Sequence, residues 1–170
     1  MMTKQICVIG AGYWGANHIK TLDQLGALGG IVESDKSLLH SYMNKFDNVT
    51  CYDNINLALN DKFDGFIIAT PSESHFDISK KIMNAGKNLL IEKPMALSIQ
   101  EAKELVYLAK KNDINAMVGH VLLFHPAINK IKEIIESKRI GNLQYLYSNR
   151  LNLGKVRTEE NVFWSLAPHD

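Results

Sequence analysis

The chain has few cysteines and little net charge. These two shortages argue against a disulfide-bonded protein and against one that binds nucleic acid or a membrane surface. Cys7 and Cys51 are its only cysteines among 170 residues. They fall in predicted strands one and three, which a doubly wound sheet separates by strand two, so we expect no disulfide. A net charge of +1 gives no electrostatic basis for binding nucleic acid or a membrane surface.

Long apolar runs and metal-ligand clusters are also missing from the sequence. The longest apolar runs are only strand-sized, so we expect no membrane span. The six histidines show no metal-ligand spacing, so we expect no metal. Lys4 precedes an apolar stretch that enters a glycine-rich loop directly, which argues against a signal peptide. We therefore expect a cytoplasmic protein.

The most informative stretch is KQICVIGAGYWG at residues 4–15. Residues 6–9 read as a buried strand that leads into G-x-G-x-x-G at Gly10, Gly12 and Gly15. Gly10 permits a tight turn, Gly12 lets the backbone approach a pyrophosphate, and Gly15 lets the next helix pack closely on the strand. That helix points its unpaired N–H groups at the phosphates. The stretch predicts a dinucleotide site, with a purely structural glycine turn as the alternative.

An acidic residue supports the dinucleotide reading and indicates which nucleotide binds. Glu33 closes the run 30–32 about 20 positions after the loop, where a carboxylate holds the adenosine ribose hydroxyls. A carboxylate there repels a 2′-phosphate, so we expect NAD, with an NADP-using relative as a less favoured alternative. Tyr13 and Trp14 lie inside the loop, and Trp14 is either a lid or helix packing.

Short apolar runs then alternate with helical patterns as far as His120. The predicted strands are 6–9, 30–32, 49–52, 65–69, 88–91 and 116–118, and the predicted helices include 36–46, 55–59 and one opened by the capping box of Ser98 and Glu101. This alternation predicts an α/β fold, a Rossmann doubly wound parallel sheet with strand order 3-2-1-4-5-6.

The pattern changes after residue 123. A helical stripe at 127–135 is followed by alternating apolar and polar residues at 143–153, which predicts a half-exposed strand. We assign 1–123 to the nucleotide-binding domain and 124–170 to the incomplete start of a second domain with an open sheet. Since one strand cannot bury its own apolar face, the chain is either a piece of a longer protein or relies on a partner.

The reactive end of the cofactor is expected over strands four to six, at their carboxyl ends. Thr70-Pro71, Glu92-Lys93-Pro94 and Gly119-His120 follow these strands. An ammonium beside a cationic nicotinamide gives up its proton more readily, so Lys93 is a candidate acid/base group. The alternative is a solvated lysine paired with Glu92. His75 either contacts the cofactor or starts a helix, and for His120 we favour packing or hydrogen bonding over chemistry.

Four segments together resemble the Gfo/Idh/MocA family: GAGYWG at 10–15, ATPSESH at 69–75, EKP at 92–94 and PHD at 168–170. The resemblance implies an NAD(P)-dependent oxidoreductase with a Rossmann domain and a C-terminal domain whose open sheet forms homo-oligomers. It also implies that Lys93 is the catalytic lysine, that His169 is an active-site histidine, and that the Lys93–Pro94 bond is cis. Ser165 departs from the family pattern, which has Asp four residues before the histidine.

Residues 150–170 resemble more narrowly the nucleotide-sugar dehydrogenases of this family, which oxidise the 3-hydroxyl of a UDP-sugar. In that reading Arg150, Lys155 and Arg157 contact the anionic diphosphate, unless they are only solvated loop charges. The competing hypothesis is a module that binds NAD without turnover of its own. We expect the 170-residue chain alone to bind NAD and to be inactive.

Overall fold

The computed structural model describes residues 4–149, which divide into two compact units at the boundary between Gly119 and His120. The first unit holds a six-stranded parallel sheet in the order β3-β2-β1-β4-β5-β6. The strands are β1 Ile6–Ile9, β2 Leu28–Val32, β3 Thr50–Tyr52, β4 Gly65–Ile68, β5 Asn88–Ile91 and β6 Ala116–Val118. The predicted doubly wound sheet and its strand order are confirmed.

Five α-helices connect these strands. They are α1 Tyr13–Gln24, α2 Lys36–Met43, α3 Ile55–Leu59, α4 His75–Asn84 and α5 Ile99–Lys111, and a 3₁₀ turn at Ser72–Ser74 precedes α4. Asp35 caps α2 by accepting hydrogen bonds from two backbone N–H groups, and the predicted capping box of Ser98 and Glu101 opens α5. Helix and strand bounds differ from the sequence predictions by a few residues at most in this unit.

Both faces of the sheet are covered, because its strands carry apolar residues on both sides. On one face Val8, Ile31 and Ile67 pack against Ile19 and Leu22 of α1. On the other face the strands pack against α3, α4 and α5; the buried residues there include Cys7, Phe66, Ile68, Ile91, Ala58, Ile82, Met83 and Leu105. Cys7 and Cys51 are free thiols on strands that flank β2.

The carboxyl ends of the six strands are level. Register pairs run across the sheet in the row Tyr52, Val32, Ile9, Ile68, Ile91 and Val118. Each strand except β3 is followed by one residue whose backbone N–H donates to the carbonyl oxygen of the last residue of a neighbouring strand: Glu33 to Tyr52, Gly10 to Val32, Ala69 to Ile9, Glu92 to Ile68 and Gly119 to Ile91. These five residues therefore line one edge, where ligands bind in such sheets.

The second unit begins with a 3₁₀ turn, Val121–Phe124, followed by helix α6 at Pro126–Glu136. His125 caps α6 through Nδ1, which accepts from the Ala127 N–H at 3.2 Å.

The predicted strand at 143–153 is wrong for its described part, because residues 143–149 have no regular structure. Alternating polarity makes a strand only where a neighbouring strand supplies hydrogen bonds, and residues 4–149 supply none there. The remainder of that prediction lies outside the described residues, and the assignment of 124–170 to a second domain stays a prediction.

Among residues 4–149, no helix is both long and apolar enough to cross a membrane.

Candidate functional site

The glycine loop between β1 and α1 is built as the sequence predicts. Gly10 has φ +87°, and a Cβ there would lie 2.8 Å from the Ala69 carbonyl oxygen, so only glycine fits. A Cβ on Gly15 would collide with the carbonyl oxygen of Gly10. Gly12 differs, because a Cβ there would meet no protein atom within 4 Å. The first and third glycines thus serve close packing, while the second faces open space.

Helix α1 presents its N-terminus to that space. Gly12 is its N-cap residue and contributes no side-chain hydrogen bond, and the first turn carries no acidic residue. The backbone N–H groups of the first turn and the positive end of the helix dipole therefore face outward, which suits a pyrophosphate. Tyr13 is 85% exposed and Trp14 48%, so both rings lie at the mouth of the loop and outside the core.

Glu33 is tied directly to the loop. Its Oε2 accepts from the Ala11 N–H at 2.7 Å, and its Oε1 accepts from the Asp35 N–H at 2.9 Å. The hydroxyl of Tyr42, on α2, donates to the Ala11 carbonyl oxygen at 3.2 Å. Burial and the nearby Glu33 carboxylate raise the pKa of Tyr42, so its hydroxyl stays a donor. Both backbone groups of Ala11 are thus held, and Glu33 is fixed at the edge of the loop.

The turn after β4 is held by a buried histidine. His75 is 1% exposed; its Nδ1 lies 2.7 Å from the Pro94 carbonyl oxygen and its Nε2 lies 2.9 Å from that of Thr70. The ring therefore joins the turns after β4 and β5. His75 is also the first residue of α4, which confirms one of the two roles predicted for it from the sequence. A direct contact of His75, Thr70 or Pro71 with the cofactor stays a prediction.

Glu92 and Lys93 follow β5, and the Lys93–Pro94 bond is cis, as the resemblance implied. Glu92 Oε1 lies 2.7 Å from Nε2 of His18 on α1, and Glu92 Oε2 accepts from the Lys93 N–H at 3.3 Å. Burial acts to raise the pKa of Glu92, but the hydrogen bond and charge of His18, together with the Lys93 N–H and ammonium, lower it overall. Glu92 is therefore an ionised carboxylate at neutral pH, set beside the half-buried Lys93.

The structure does not test the remaining predicted site residues. His120 belongs to the second unit, and its predicted place beside the reactive ring stays a prediction. Arg150, Lys155, Arg157 and His169 lie outside the described residues. Within residues 4–149, no group of His, Cys, Asp and Glu is placed to hold a metal.

The residues that the structure brings together fit a dinucleotide. Gly12 leaves the space that a phosphate backbone needs, α1 directs N–H groups towards it, and Glu33 stands at the end of β2 where a ribose is held. Lys93 stands on the same edge, on the far side of β1 and β4. A dinucleotide that lies across the edge from β2 to β5 therefore spans from Glu33 towards Lys93.

Two residues near this edge, His18 and Tyr42, make contacts that the sequence did not predict. His18 lies three residues after Gly15 and four before Leu22, and all three share the face of α1 that packs on the sheet. This spacing indicates that the His18 side chain faces the sheet and that its ring needs a polar partner there. Tyr42 lies within the predicted helix 36–46, and no pattern in the sequence indicates the hydrogen bond from its hydroxyl to Ala11.

Comparison with known proteins gives the same class of domain. A model of the Gfo/Idh/MocA oxidoreductase family, NAD-binding Rossmann fold, matches residues 4–120. The chain belongs to this family of NAD-binding oxidoreductases, and NAD is accordingly its cofactor. The predicted family and cofactor are confirmed.

Individual relatives differ in the substrates that their names carry. The UDP-N-acetylglucosamine 3-dehydrogenase of Acidithiobacillus ferrooxidans is 28% identical over 164 residues, which cover 96% of this chain and 50% of that protein. Inositol 2-dehydrogenase 2 of Saccharopolyspora erythraea is 28% identical over 169 residues, which cover 90% and 47%. A solved structure of the Acidithiobacillus ferrooxidans enzyme matches with TM-score 0.72 and 26% identity over 78% of this chain and 42% of that one. The chain thus spans about half the length of the relatives it matches.

Proposed function

We propose that the protein to which this chain belongs oxidises a sugar hydroxyl with NAD⁺, and that Lys93 is its acid/base group. The observation that carries the proposal is the placement of Lys93 at the end of β5, on the same sheet edge as the glycine loop and Glu33. With adenosine held at Glu33, the nicotinamide extends towards Lys93.

When bound, NAD⁺ would supply the acceptor for a hydride from the carbinol carbon. The Lys93 amine would take the hydroxyl proton as the ketone forms, which would leave the lysine as its ammonium. A positioned base of this kind contributes roughly 10²- to 10⁴-fold to rate. His169, outside the described residues, is proposed as a second acid/base group.

We propose the 3-hydroxyl of a UDP-sugar as the substrate. The relative from Acidithiobacillus ferrooxidans supports this choice, whereas the equally similar inositol dehydrogenase supports a substrate without phosphate. Arg150, Lys155 and Arg157 are the proposed diphosphate contacts, and His120 is a further candidate substrate contact. We further propose a cytoplasmic homo-oligomer that assembles through the open sheet of the second domain.

The test measures NADH formation by the full-length gene product with UDP-N-acetylglucosamine, its uronic acid and myo-inositol. Lys93→Met is compared with Lys81→Met, which changes an exposed lysine on α4. We expect Lys93→Met to lower kcat/KM by about 10²-fold or more while NADH still binds, and the control to match the wild type. Near wild-type turnover of Lys93→Met contradicts the mechanism. A protein that binds NADH but turns over no substrate of the panel supports the alternative, a binding module.

A further inference from the structure

The contact between His18 and Glu92 joins the helix that follows the glycine loop to the turn that carries Lys93. His18 Nε2 lies 2.7 Å from Glu92 Oε1, and the two side chains are 22% and 13% exposed. The residues are 74 positions apart in the sequence. The proposed hydride transfer uses neither side chain directly, so the contact needs another explanation.

The Glu92 carboxylate is held on three sides. His18 engages Oε1, and the Lys93 N–H donates to Oε2 at 3.3 Å. At the end of β6, a Cβ built on Gly119 would lie 3.2 Å from the carboxyl carbon and from both oxygens, so the Gly119 backbone closes the third side. These three neighbours restrict the orientation of the carboxylate, and its Oε2 is in turn hydrogen-bonded to the backbone of Lys93.

We propose that His18 is a positioning residue for the nicotinamide half of the site. By holding Glu92 it fixes the backbone at Lys93, and with it the point from which the Lys93 side chain reaches the nicotinamide ring and the substrate. This inference rests on the proposed function, in which Lys93 stands at the nicotinamide end. The competing explanation is that the contact only fastens α1 to the sheet.

Two ligands separate these explanations. NADH contains the nicotinamide, whereas ADP-ribose carries the same adenosine, pyrophosphate and second ribose without it. Both are titrated into the 170-residue chain and into His18→Leu, His18→Gln and His40→Leu. Gln places an amide N–H close to the position of Nε2, and His40 is an exposed histidine on α2 that serves as the control.

We expect His18→Leu to weaken NADH binding about tenfold and to change ADP-ribose binding less than about twofold, because only the nicotinamide side depends on the Glu92 orientation. His18→Gln is expected to recover most of the NADH affinity, and His40→Leu to match the wild type. Equal weakening of both ligands, or no change in either, overturns the inference. A wild-type chain that binds neither ligand contradicts the proposed function itself.

If His18→Leu does not fold, His18→Gln and His18→Asn give the same comparison. The Asn amide is one bond shorter and does not reach Glu92. Weaker NADH binding by the Asn variant, with ADP-ribose unchanged, supports the positioning role. Equal NADH affinities for the two variants overturn it.

Discussion

Glu33 Oε2 accepts a hydrogen bond from the backbone N–H of Ala11 at 2.7 Å, so the acidic residue at the end of β2 and the glycine loop form one structural unit. The residue expected to select the ribose is thereby fixed by the same segment that is expected to bind the pyrophosphate. We expect the selection between NAD and NADP to depend on this rigidity, because a fixed carboxylate cannot turn away from a 2′-phosphate.

Replacing Glu33 by Gln should change nucleotide preference more than stability. Loss of the negative charge removes the repulsion of a 2′-phosphate, so the preference for NADH over NADPH should fall about tenfold or more. Fluorescence titration with both nucleotides measures the ratio, and Asp23→Asn, at the other end of α1, is the control. An unchanged ratio of NADH to NADPH affinity would show that Glu33 does not discriminate between the two nucleotides.

Gly12 and Gly15 should respond differently to alanine. A Cβ on Gly12 meets no protein atom within 4 Å, so Gly12→Ala should keep the thermal midpoint and lose NADH affinity. A Cβ on Gly15 collides with Gly10, so Gly15→Ala should lower the free energy of unfolding by about 1–3 kcal/mol. Thermal unfolding and NADH titration of both variants test the contrast, and equal loss of stability in the two would refute it.

Tyr42→Phe removes the hydrogen bond to the Ala11 carbonyl oxygen and keeps the ring, which stacks on Phe46. The buried carbonyl then lacks this donor, and we expect a loss of about 1 kcal/mol in the free energy of unfolding together with weaker NADH binding. Tyr107→Phe is the matched control, since Tyr107 is 60% exposed. Denaturant unfolding measures the free energy of unfolding of both variants. An equal loss in the two would show that the Tyr42 hydroxyl contributes no more than an exposed one.

The lowered pKa of Glu92 predicts how the stability of the fold changes with pH. A carboxyl whose pKa is lower in the folded state stabilises the fold at neutral pH, and that stabilisation is lost as pH falls below its ordinary value of 4.5 and through the folded pKa. Glu92→Gln should therefore be less stable than the wild type at pH 7, and the difference should shrink below pH 4.5. Thermal midpoints at a series of pH values measure it. A difference that is constant with pH would mean that the Glu92 charge contributes nothing.

The sequence was sufficient to predict most of the first unit. Buried parallel strands are short continuous apolar runs, and Gly10, Gly15 and Ser98 mark turns and helix starts through local chemistry, so strand order and most element bounds followed. The contacts of His18 with Glu92 and of Tyr42 with Ala11 join residues far apart in the chain, and no local pattern reveals such pairs. Alternation at 143–149 predicted a strand that the structure does not contain, because polarity alone does not supply a neighbouring strand.

Titration of NADH into the 170-residue chain, with Gly12→Ala as the negative control, tests the central claim most directly. The geometry of the glycine loop and Glu33 predicts saturable binding by the wild type that is tighter for NADH than for NADPH and at least about tenfold weaker in Gly12→Ala. Absence of NADH binding by the folded wild-type chain, or equal binding by Gly12→Ala, would contradict the account.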